Sequence, residues 1–342
     1  MTDLNEKPAA KITVLTGVKP TGQPHIGNYL GAIRPALDFS QQPGHETWLF
    51  VADYHALIGM QDAKKMREMT LEVAATWLAC GLDPERSVLY RQSDIPEIME
   101  LNWILACFTP KGLMNRAHAY KAKIQENEQA GKDDLDFGVN MGLYSYPVLM
   151  AADILIFSAD RVPVGEDQVQ HLEITRDIAQ KFNRQYGNLM KLPAYVLQKV
   201  GNNVPGLDGR KMSKSYDNYI QVFEEPTKMK KQVARIKTDS LPPEAPKSVE
   251  GSILFDLYQA FATPEQVAQM REKFFVGVGW GTVKEELFQV MDQHLSGPRE
   301  KYKQLMADRA YLDQLLKSGA EKARAKSIPY LHKLRQAMGI DA

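Results

Sequence analysis

The sequence contains little cysteine and no long apolar segment. Its 342 residues include only two cysteines, Cys80 and Cys107, which excludes a cysteine-rich zinc or iron–sulfur site and a framework of disulfides. No stretch approaches the ~18 consecutive apolar residues of a membrane-spanning helix. The first ten residues, MTDLNEKPAA, lack the apolar core of a secretion signal. We therefore expect a cytoplasmic protein that has no membrane partner.

The chain also lacks net charge. Lysine and arginine number 42, as do aspartate and glutamate, so the composition does not favour DNA binding and any surface for a nucleic acid must be local. Two local surpluses exist. Residues 209–237 carry eight basic side chains against three acidic ones, and residues 299–335 carry ten against four. Each run is either a surface for RNA or an ordinary solvated helix face.

Short apolar runs alternate with amphipathic stretches from residue 11 onward. The amphipathic stretches predict helices, including one that begins after Asp62. The apolar runs predict strands near residues 11–17, 47–53, 87–93 and 161–164. Strands and helices that alternate at this spacing indicate an α/β fold, a doubly wound parallel sheet of Rossmann type. The polar, glycine-punctuated segment 120–140 predicts a loop-rich excursion.

The composition changes after residue 200. A glycine- and lysine-rich loop follows there, and beyond residue 218 we find helical patterns without convincing strands. We therefore expect two domains, a Rossmann-like catalytic domain over residues 1–217 and an α-helical domain over residues 218–342.

The stretch PHIGNYLGA, residues 24–32, follows the first predicted strand. Glycine lets a backbone approach a ligand closely, and the start of a helix presents unpaired N–H groups with positive dipole character. His25 could then donate a hydrogen bond to a phosphate oxygen. A capped turn with a partly buried histidine explains the same residues, and the stretch alone does not decide between the two explanations.

A second loop, GRKMSKS, occupies residues 209–215. Lys211 and Lys214 lie three apart in it, and lysine is a compact cation on a flexible stem that can follow a migrating phosphate charge. The five residues from Lys211 to Ser215 match the second class-defining motif of the class I aminoacyl-tRNA synthetases. The four from His25 to Asn28 resemble the first motif of that family, with asparagine in place of its final histidine. The two motifs occur in the family's order.

Over most of its length the chain resembles the tryptophan branch of this family. The segments that carry the resemblance are QSDIPE at 92–97, YPVLMAADIL at 146–155 and VPVGEDQVQHLEITRDIAQKFN at 162–183. On a helix, Tyr146, Met150 and Asp153 share one face. An ionised carboxylate only accepts hydrogen bonds and an indole N–H only donates, so Asp153 can select an indole over a benzene ring. A satisfied structural carboxylate is the alternative.

The resemblance implies the remaining site residues. Catalysis would rest on His25, Asn28, Lys211 and Lys214. The ATP site would comprise Lys19, Pro20, Thr21, Gly27, Asn28, Gly165, Glu166, Asp167, Val204, Lys211, Met212, Ser213, Lys214 and Ser215. The tryptophan pocket would comprise Asp153, Tyr146, Met150, Val162, Val164, Gln168 and His55, although His55 suits a core position equally well. Lys19 and Thr21 depart from the glutamine and serine that are common in the family.

The resemblance also implies the reaction and the partners. Tryptophan would attack the α-phosphate of ATP, and the acyl group would then pass to the 2′-hydroxyl of the terminal adenosine of tRNA(Trp). Mg²⁺ would accompany ATP without a dedicated protein site. The enzyme would be a homodimer, and the α-helical domain over residues 218–342 would bind the anticodon of the tRNA. Three other interpretations remain: a tyrosyl-tRNA synthetase, a small nucleotidyltransferase, and a non-catalytic paralogue that binds tryptophan or a partner protein.

Overall fold

A parallel sheet forms the centre of the computed structural model, which describes residues 11–197 and 204–340. Within these residues the sheet has five strands in the order β3–β2–β1–β4–β5. The strands are β1 (Ile12–Val18), β2 (His45–Val51), β3 (Ser87–Arg91), β4 (Arg161–Val164) and β5 (Ala194–Leu197). The strand order reverses between β1 and β4, and ligands of such sheets bind in the crevice outside the carboxyl ends of the strands at that point.

Helices connect and follow the strands. In chain order they are α1 (Ile26–Asn28), α2 (Arg34–Gln41), α3 (Asp53–Ala56), α4 (Ala63–Ala79), α5 (Pro96–Phe108), α6 (Lys111–Met114), α7 (His118–Gln129), α8 (Met141–Leu155), α9 (Val169–Tyr186), α10 (Pro226–Ala234), α11 (Ile253–Phe261), α12 (Pro264–Val276), α13 (Trp280–Ala307) and α14 (Arg309–Met338). Within residues 11–197 and 204–340, no helix is both long and apolar enough to cross a membrane.

Apolar side chains cover both faces of the sheet, which confirms the doubly wound prediction. Successive side chains of a strand point to opposite faces. Leu49 and Leu89 therefore join one cluster, with α4 and the helices α10–α13. Trp48 and Tyr90, their neighbours in β2 and β3, join the other cluster, with α5, α8 and α9.

The four strands predicted from the apolar runs are confirmed, but two other features of the fold differ from the predictions. β5 was not predicted, because its side chains are mostly exposed and its place in the sheet comes from backbone pairing with β4. The loop-rich excursion predicted over 120–140 is wrong in its first half, where α7 forms. The buried Asn127 donates from its side-chain amide to the carbonyls of Leu135 and Phe137, which fixes the following loop against this polar helix.

The helix that follows the first motif is interrupted. Between α1 and α2, residues Tyr29–Ile33 form a π-helical turn. Pro35 lies at the start of α2 and has no N–H to donate, so a regular α-helix through this region would lose a hydrogen bond and crowd the preceding turn. The wider turn lets the helix continue past the proline.

The last helix, α14, returns to the sheet. Gly319 lies against the edge strand β3, and a Cβ atom at this position would approach the carbonyl oxygen of Leu89 to 1.8 Å. Four cations of the basic run 299–335 pair with acidic residues of the N-terminal half: Arg309 with Glu68, Arg324 with Glu97, Lys326 with Glu46 and Arg335 with Glu100. These four ion pairs therefore connect α14 to the N-terminal half of the chain. The division into domains at residue 218 stays a prediction.

Candidate active site

A cavity of about 430 Å³ opens at the carboxyl ends of β1 and β4, where the strand order reverses. Gly17 and Lys19 line it from the end of β1, and Val164 and Gly165 line it from the end of β4. All seven residues predicted for the amino-acid pocket also line it: His55, Tyr146, Met150, Asp153, Val162, Val164 and Gln168. Tyr146, Met150 and Asp153 share one face of α8, as their spacing predicts.

Asp153 is the buried acceptor of this cavity. Its side chain is 1% exposed. Its Oδ2 lies 2.8 Å from Nε2 of His55, and its Oδ1 accepts a 2.7 Å hydrogen bond from the side-chain amide of Gln92. Burial raises the pKa of the carboxyl, while the hydrogen bonds from His55 and Gln92 oppose this rise. Each carboxylate oxygen has a further lone pair, so Asp153 can still accept from a ligand. His55 is thus both buried and part of the cavity wall.

Gln92 belongs to the site, although the sequence does not single it out. It is fully buried at the carboxyl end of β3, and its Oε1 accepts from the backbone N–H of Tyr54 at 3.1 Å. This bond fixes the orientation of the amide, so that the NH₂ group points at Asp153. The sequence contains only a weak indication of this role. Gln92 begins the QSDIPE segment, which supports the family resemblance but assigns no function to Gln92.

A second cavity of about 270 Å³ adjoins the first and shares Gly17, Lys19 and Ala32 with it. Its wall includes Thr21 and Asn28, two further residues predicted for the ATP site. The ammonium of Lys19 lies 5.8 Å from the centre of the Tyr146 ring, and burial lowers the pKa of this lysine. Lys19 therefore places a positive charge at the junction of the two cavities.

The first motif caps its helix and also faces the second cavity. Nδ1 of His25 accepts from the backbone N–H of Asn28 at 3.2 Å, and Oδ1 of Asn28 accepts from the backbone N–H of His25 at 3.1 Å. Burial, together with the charges of Lys214 and Lys211, lowers the pKa of His25 to about 4. A neutral imidazole that accepts at Nδ1 carries its proton on Nε2. His25 is therefore an uncharged group whose Nε2–H is able to donate. The capped turn is observed, and donation to a phosphate stays a prediction.

The lysine loop is docked against the first motif. The backbone N–H of Ile26 donates to the carbonyl of Ile220 at 2.8 Å, and that of Val222 donates to the carbonyl of Pro24 at 3.0 Å. The backbone N–H of Gly27 points at the thioether sulfur of the buried Met212, 3.3 Å away. A Cβ atom at Gly27 would lie 3.0 Å from the His25 ring. A side chain at this position would therefore disturb the contact between Gly27 and Met212.

The ammonium of Lys214 reaches the loop that precedes the first motif. Its Nζ donates to the carbonyl oxygen of Thr21 at 2.6 Å, and burial lowers its pKa. Lys211 is exposed, and its charge contributes to the shift at His25. The charges of both lysines therefore act on the imidazole of His25.

A buried asparagine organises the lysine loop. Oδ1 of Asn218 accepts from the backbone N–H of Ser213 at 2.8 Å, and its Nδ2 donates to Asp208 at 2.7 Å and to the carbonyl of Lys211 at 3.2 Å. The Asn218 and Arg210 side chains lower the pKa of Asp208 to about 2. A Cβ atom at Gly206 would lie 2.3 Å from the Asn218 amide, so this close approach requires glycine. The sequence analysis did not identify Asn218.

The other residues predicted for the ATP site lie around these motifs. Ser213 caps a short 3₁₀ turn, and its hydroxyl lies 2.7 Å from that of Ser215. Val204 accepts from the backbone N–H of Met212 at 3.0 Å. Pro20 is buried between Lys19 and Thr21. Glu166 is exposed in the 3₁₀ turn that follows Gly165 and does not line either cavity, and the side chain of Asp167 lies outside the described part of the structure.

Comparison with known proteins agrees with this geometry. The family model described as tRNA synthetases class I (W and Y) matches residues 7–296. The tryptophan–tRNA ligase of Pseudomonas putida is 54% identical over 330 residues, which cover 96% of this chain and 73% of that protein. The tryptophan–tRNA ligase of Neisseria meningitidis is 51% identical over 331 residues, 97% of this chain and 98% of that protein.

A solved structure supports the same family assignment. The crystal structure of Campylobacter jejuni tryptophanyl-tRNA synthetase, complexed with ADP and tryptophan, is 40% identical with a TM-score of 0.86, over 96% of this chain and 100% of that one. The chain therefore belongs to the class I tRNA synthetases for tryptophan and tyrosine. Within that class it falls among the tryptophan–tRNA ligases, which confirms the resemblance found in the sequence.

Proposed function

We propose that the chain activates L-tryptophan with ATP and transfers the tryptophanyl group to the 3′ end of tRNA(Trp). One observation carries the proposal: the cavity that contains Asp153 adjoins a second cavity lined by Asn28 of the first motif, and Met212 of the lysine loop contacts Gly27 of the same motif. An amino acid and a triphosphate bound in these cavities would meet at Lys19. ATP binding is supported by the family and by the ADP and tryptophan bound to the Campylobacter jejuni relative.

The amino-acid cavity suits an indole ring. Apolar side chains, including Met150 and Val162, provide most of its wall. Asp153 is held as an acceptor by His55 and Gln92, so an indole N–H gives it a donor that a phenyl ring lacks. A phenol also has a donor, but at a different distance and angle from the amino-acid backbone. We infer that this geometry selects tryptophan.

In the first step an oxygen of the tryptophan carboxylate attacks the α-phosphorus of ATP, and the bond to the departing pyrophosphate breaks. The protein forms no covalent intermediate, so its contribution is positioning and stabilisation of phosphoryl charge. His25 donates from Nε2 without adding charge, and Lys211 and Lys214 stabilise the pyrophosphate. Asn28 and Gly27 complete the loop that holds the phosphates.

Mg²⁺ enters as part of the ATP complex in this proposal. In the described parts of the chain no group of three or more His, Cys, Asp or Glu side chains could hold a metal ion. We propose that the ion is bound by phosphate oxygens and water, as Mg²⁺ prefers when it accompanies a nucleotide. In the second step the 2′-hydroxyl of the terminal adenosine attacks the acyl carbon of tryptophanyl-adenylate, loses its proton, and displaces AMP. We place this reaction in the cytoplasm.

We propose that the enzyme is a homodimer and that α5 contributes to the interface. Met99, Trp103, Ala106 and Cys107 follow one another at helical spacing, and all are exposed; Trp103 is 71% exposed. The opposite face of α5 is buried in the core, so this helix is apolar on both sides. An exposed apolar stripe of this kind is typical of a contact surface. Sedimentation should show a dimer, and Trp103→Glu should weaken it; a monomeric wild-type enzyme would exclude the proposal.

Charging of tRNA tests the whole function. Purified enzyme, ATP, Mg²⁺ and labelled tryptophan should transfer label to tRNA(Trp). The label should not be transferred to tRNA(Trp) whose terminal ribose has been oxidised by periodate, because the accepting hydroxyl is then missing. Formation of tryptophanyl-adenylate without any transfer to intact tRNA would contradict the second step and leave only the activation step.

A further inference from the structure

A carboxylate with no role in the reaction described above lies beside the catalytic lysine. Glu72 is half-buried on α4. A Cβ atom placed on Gly22 would lie 3.5 Å from Nζ of Lys214 and 3.7 Å from Oε2 of Glu72. The ammonium and the carboxylate therefore lie on the same side of the loop that carries Thr21, whose carbonyl oxygen accepts from Lys214.

The charged residues around Glu72 do not include an ion-pair partner for its carboxylate. Glu68, one turn earlier on α4, forms a 2.7 Å ion pair with Arg309 of α14. Among the described residues no cation, Lys214 included, forms an ion pair with the Glu72 carboxylate within 4 Å, so Glu72 and Lys214 attract each other across a longer distance. Burial and Glu68 raise the pKa of Glu72, and Lys214 followed by Arg309 lower it. Glu72 in turn is the group that raises the pKa of Lys214 against the effect of burial.

We propose that Glu72 is a positioning residue that holds Lys214, together with the Thr21 carbonyl, in the enzyme without nucleotide. ATP must then take this lysine from Glu72 when it binds, and Lys214 returns when pyrophosphate leaves. The inference rests on the proposed function, because it assigns Lys214 to the phosphates of ATP. A residue that is only structural would not compete with the nucleotide.

If Glu72 and ATP compete for Lys214, removing the charge of Glu72 should increase the affinity for ATP. Glu72→Gln keeps the shape of the side chain and removes its charge, so the resting state of Lys214 loses its attraction. ATP, measured by equilibrium dialysis without tryptophan, should bind about two- to fivefold tighter, the range expected for a partly screened attraction between nearby charges. AMP lacks the β- and γ-phosphates, so its affinity should not change. The gain should shrink at high salt, which screens the attraction.

A double-mutant cycle separates this mechanism from simple repulsion between Glu72 and ATP. In a Lys214→Met background there is no lysine to hold, so Glu72→Gln should leave ATP affinity unchanged. Glu72→Asp, which shortens the side chain and keeps the charge, should fall between wild type and Glu72→Gln. Thermal unfolding of each variant checks that the fold is intact.

Two results would overturn the inference: unchanged or weaker ATP binding by Glu72→Gln, or the same gain in the Lys214→Met background. A failure of the proposed function would be seen separately, as a wild-type enzyme that shows no tryptophan-dependent exchange of pyrophosphate into ATP.

Discussion

Nε2 of His55 lies 2.8 Å from Oδ2 of Asp153, and both side chains are buried in the wall of the amino-acid cavity. The side-chain amide of Gln92 donates a hydrogen bond to Oδ1 of the same carboxylate. Two donors held by the fold thus orient an acceptor toward the space where the side chain of the amino acid would lie. This arrangement makes Asp153 the residue through which we expect the enzyme to distinguish its substrate.

Asp153→Asn tests that expectation. The amide keeps the size of the carboxylate but exchanges one acceptor for a donor, which cannot pair with both its protein partners and an indole N–H. We expect kcat/KM for tryptophan in pyrophosphate exchange to fall on the order of 100-fold, since a buried polar partner is left unpaired. Thermal unfolding serves as the control for the fold. Activity within twofold of wild type would remove Asp153 from the recognition of tryptophan.

Lys214→Ala should separate chemistry from amino-acid binding. Without this ammonium, the charge that develops on pyrophosphate loses a donor, so the rate of adenylate formation should fall about 100- to 1,000-fold. Tryptophan affinity, measured by fluorescence, should change little, because Lys214 does not line the amino-acid cavity. Lys231→Ala, an exposed lysine of α10, is the matched control. Loss of tryptophan binding equal to the loss of rate would contradict the assignment.

Asn218→Ala should loosen the lysine loop. The side chain is 3% exposed and its hydrogen bonds join Asp208, Lys211 and Ser213. Removal should lower the free energy of unfolding by about 1–3 kcal/mol, because buried polar groups lose their partners. Adenylate formation should fall more than tryptophan affinity does. Asn188→Ala, at an exposed position, is the control; equal rates in the two variants would show that Asn218 does not organise the loop.

His25 should remain neutral well below the ordinary range of histidine. Its pKa of about 4 in the folded protein is lower than the 6.5 of a free imidazole. Between these two pH values the unfolded chain binds the proton and the folded chain does not, so the free energy of unfolding should fall as the pH drops through this window.

Two measurements check this prediction. The ring carbon signal of His25 in the NMR spectrum should shift near pH 4 and stay constant from pH 6 to 7. His25→Asn cannot titrate, so its free energy of unfolding in urea should fall less than that of wild type between pH 7 and pH 4.5. A His25 signal that moves near pH 6.5 would show that the imidazole becomes charged in the working range of the enzyme.

Most of the sheet could be predicted because its strands bury continuous apolar runs. β1 and β2 are such runs, whereas β5 (Ala194–Leu197) exposes most of its side chains and is recognisable only by its pairing with β4. The helical spacing of Tyr146, Met150 and Asp153 likewise predicted one face of α8, and the structure places that face in the cavity.

The supporting contacts could not be predicted, because they join residues that are distant in the sequence. Gln92 and Asp153 are 61 positions apart, and Lys214 and Thr21 are 193 apart. Neither pair shares an element whose periodicity would bring its members together. Arg309 and Glu68 form an ion pair although they are 241 positions apart. From the sequence alone, Arg309 is therefore recognisable only as a member of the basic run 299–335.

Selection of tryptophan by Asp153 is tested most directly by tryptophan-dependent exchange of pyrophosphate into ATP, compared with exchange in the presence of tyrosine. We expect rapid exchange with tryptophan, little with tyrosine, and loss of the tryptophan signal in Asp153→Asn. Exchange with tyrosine alone would contradict this assignment.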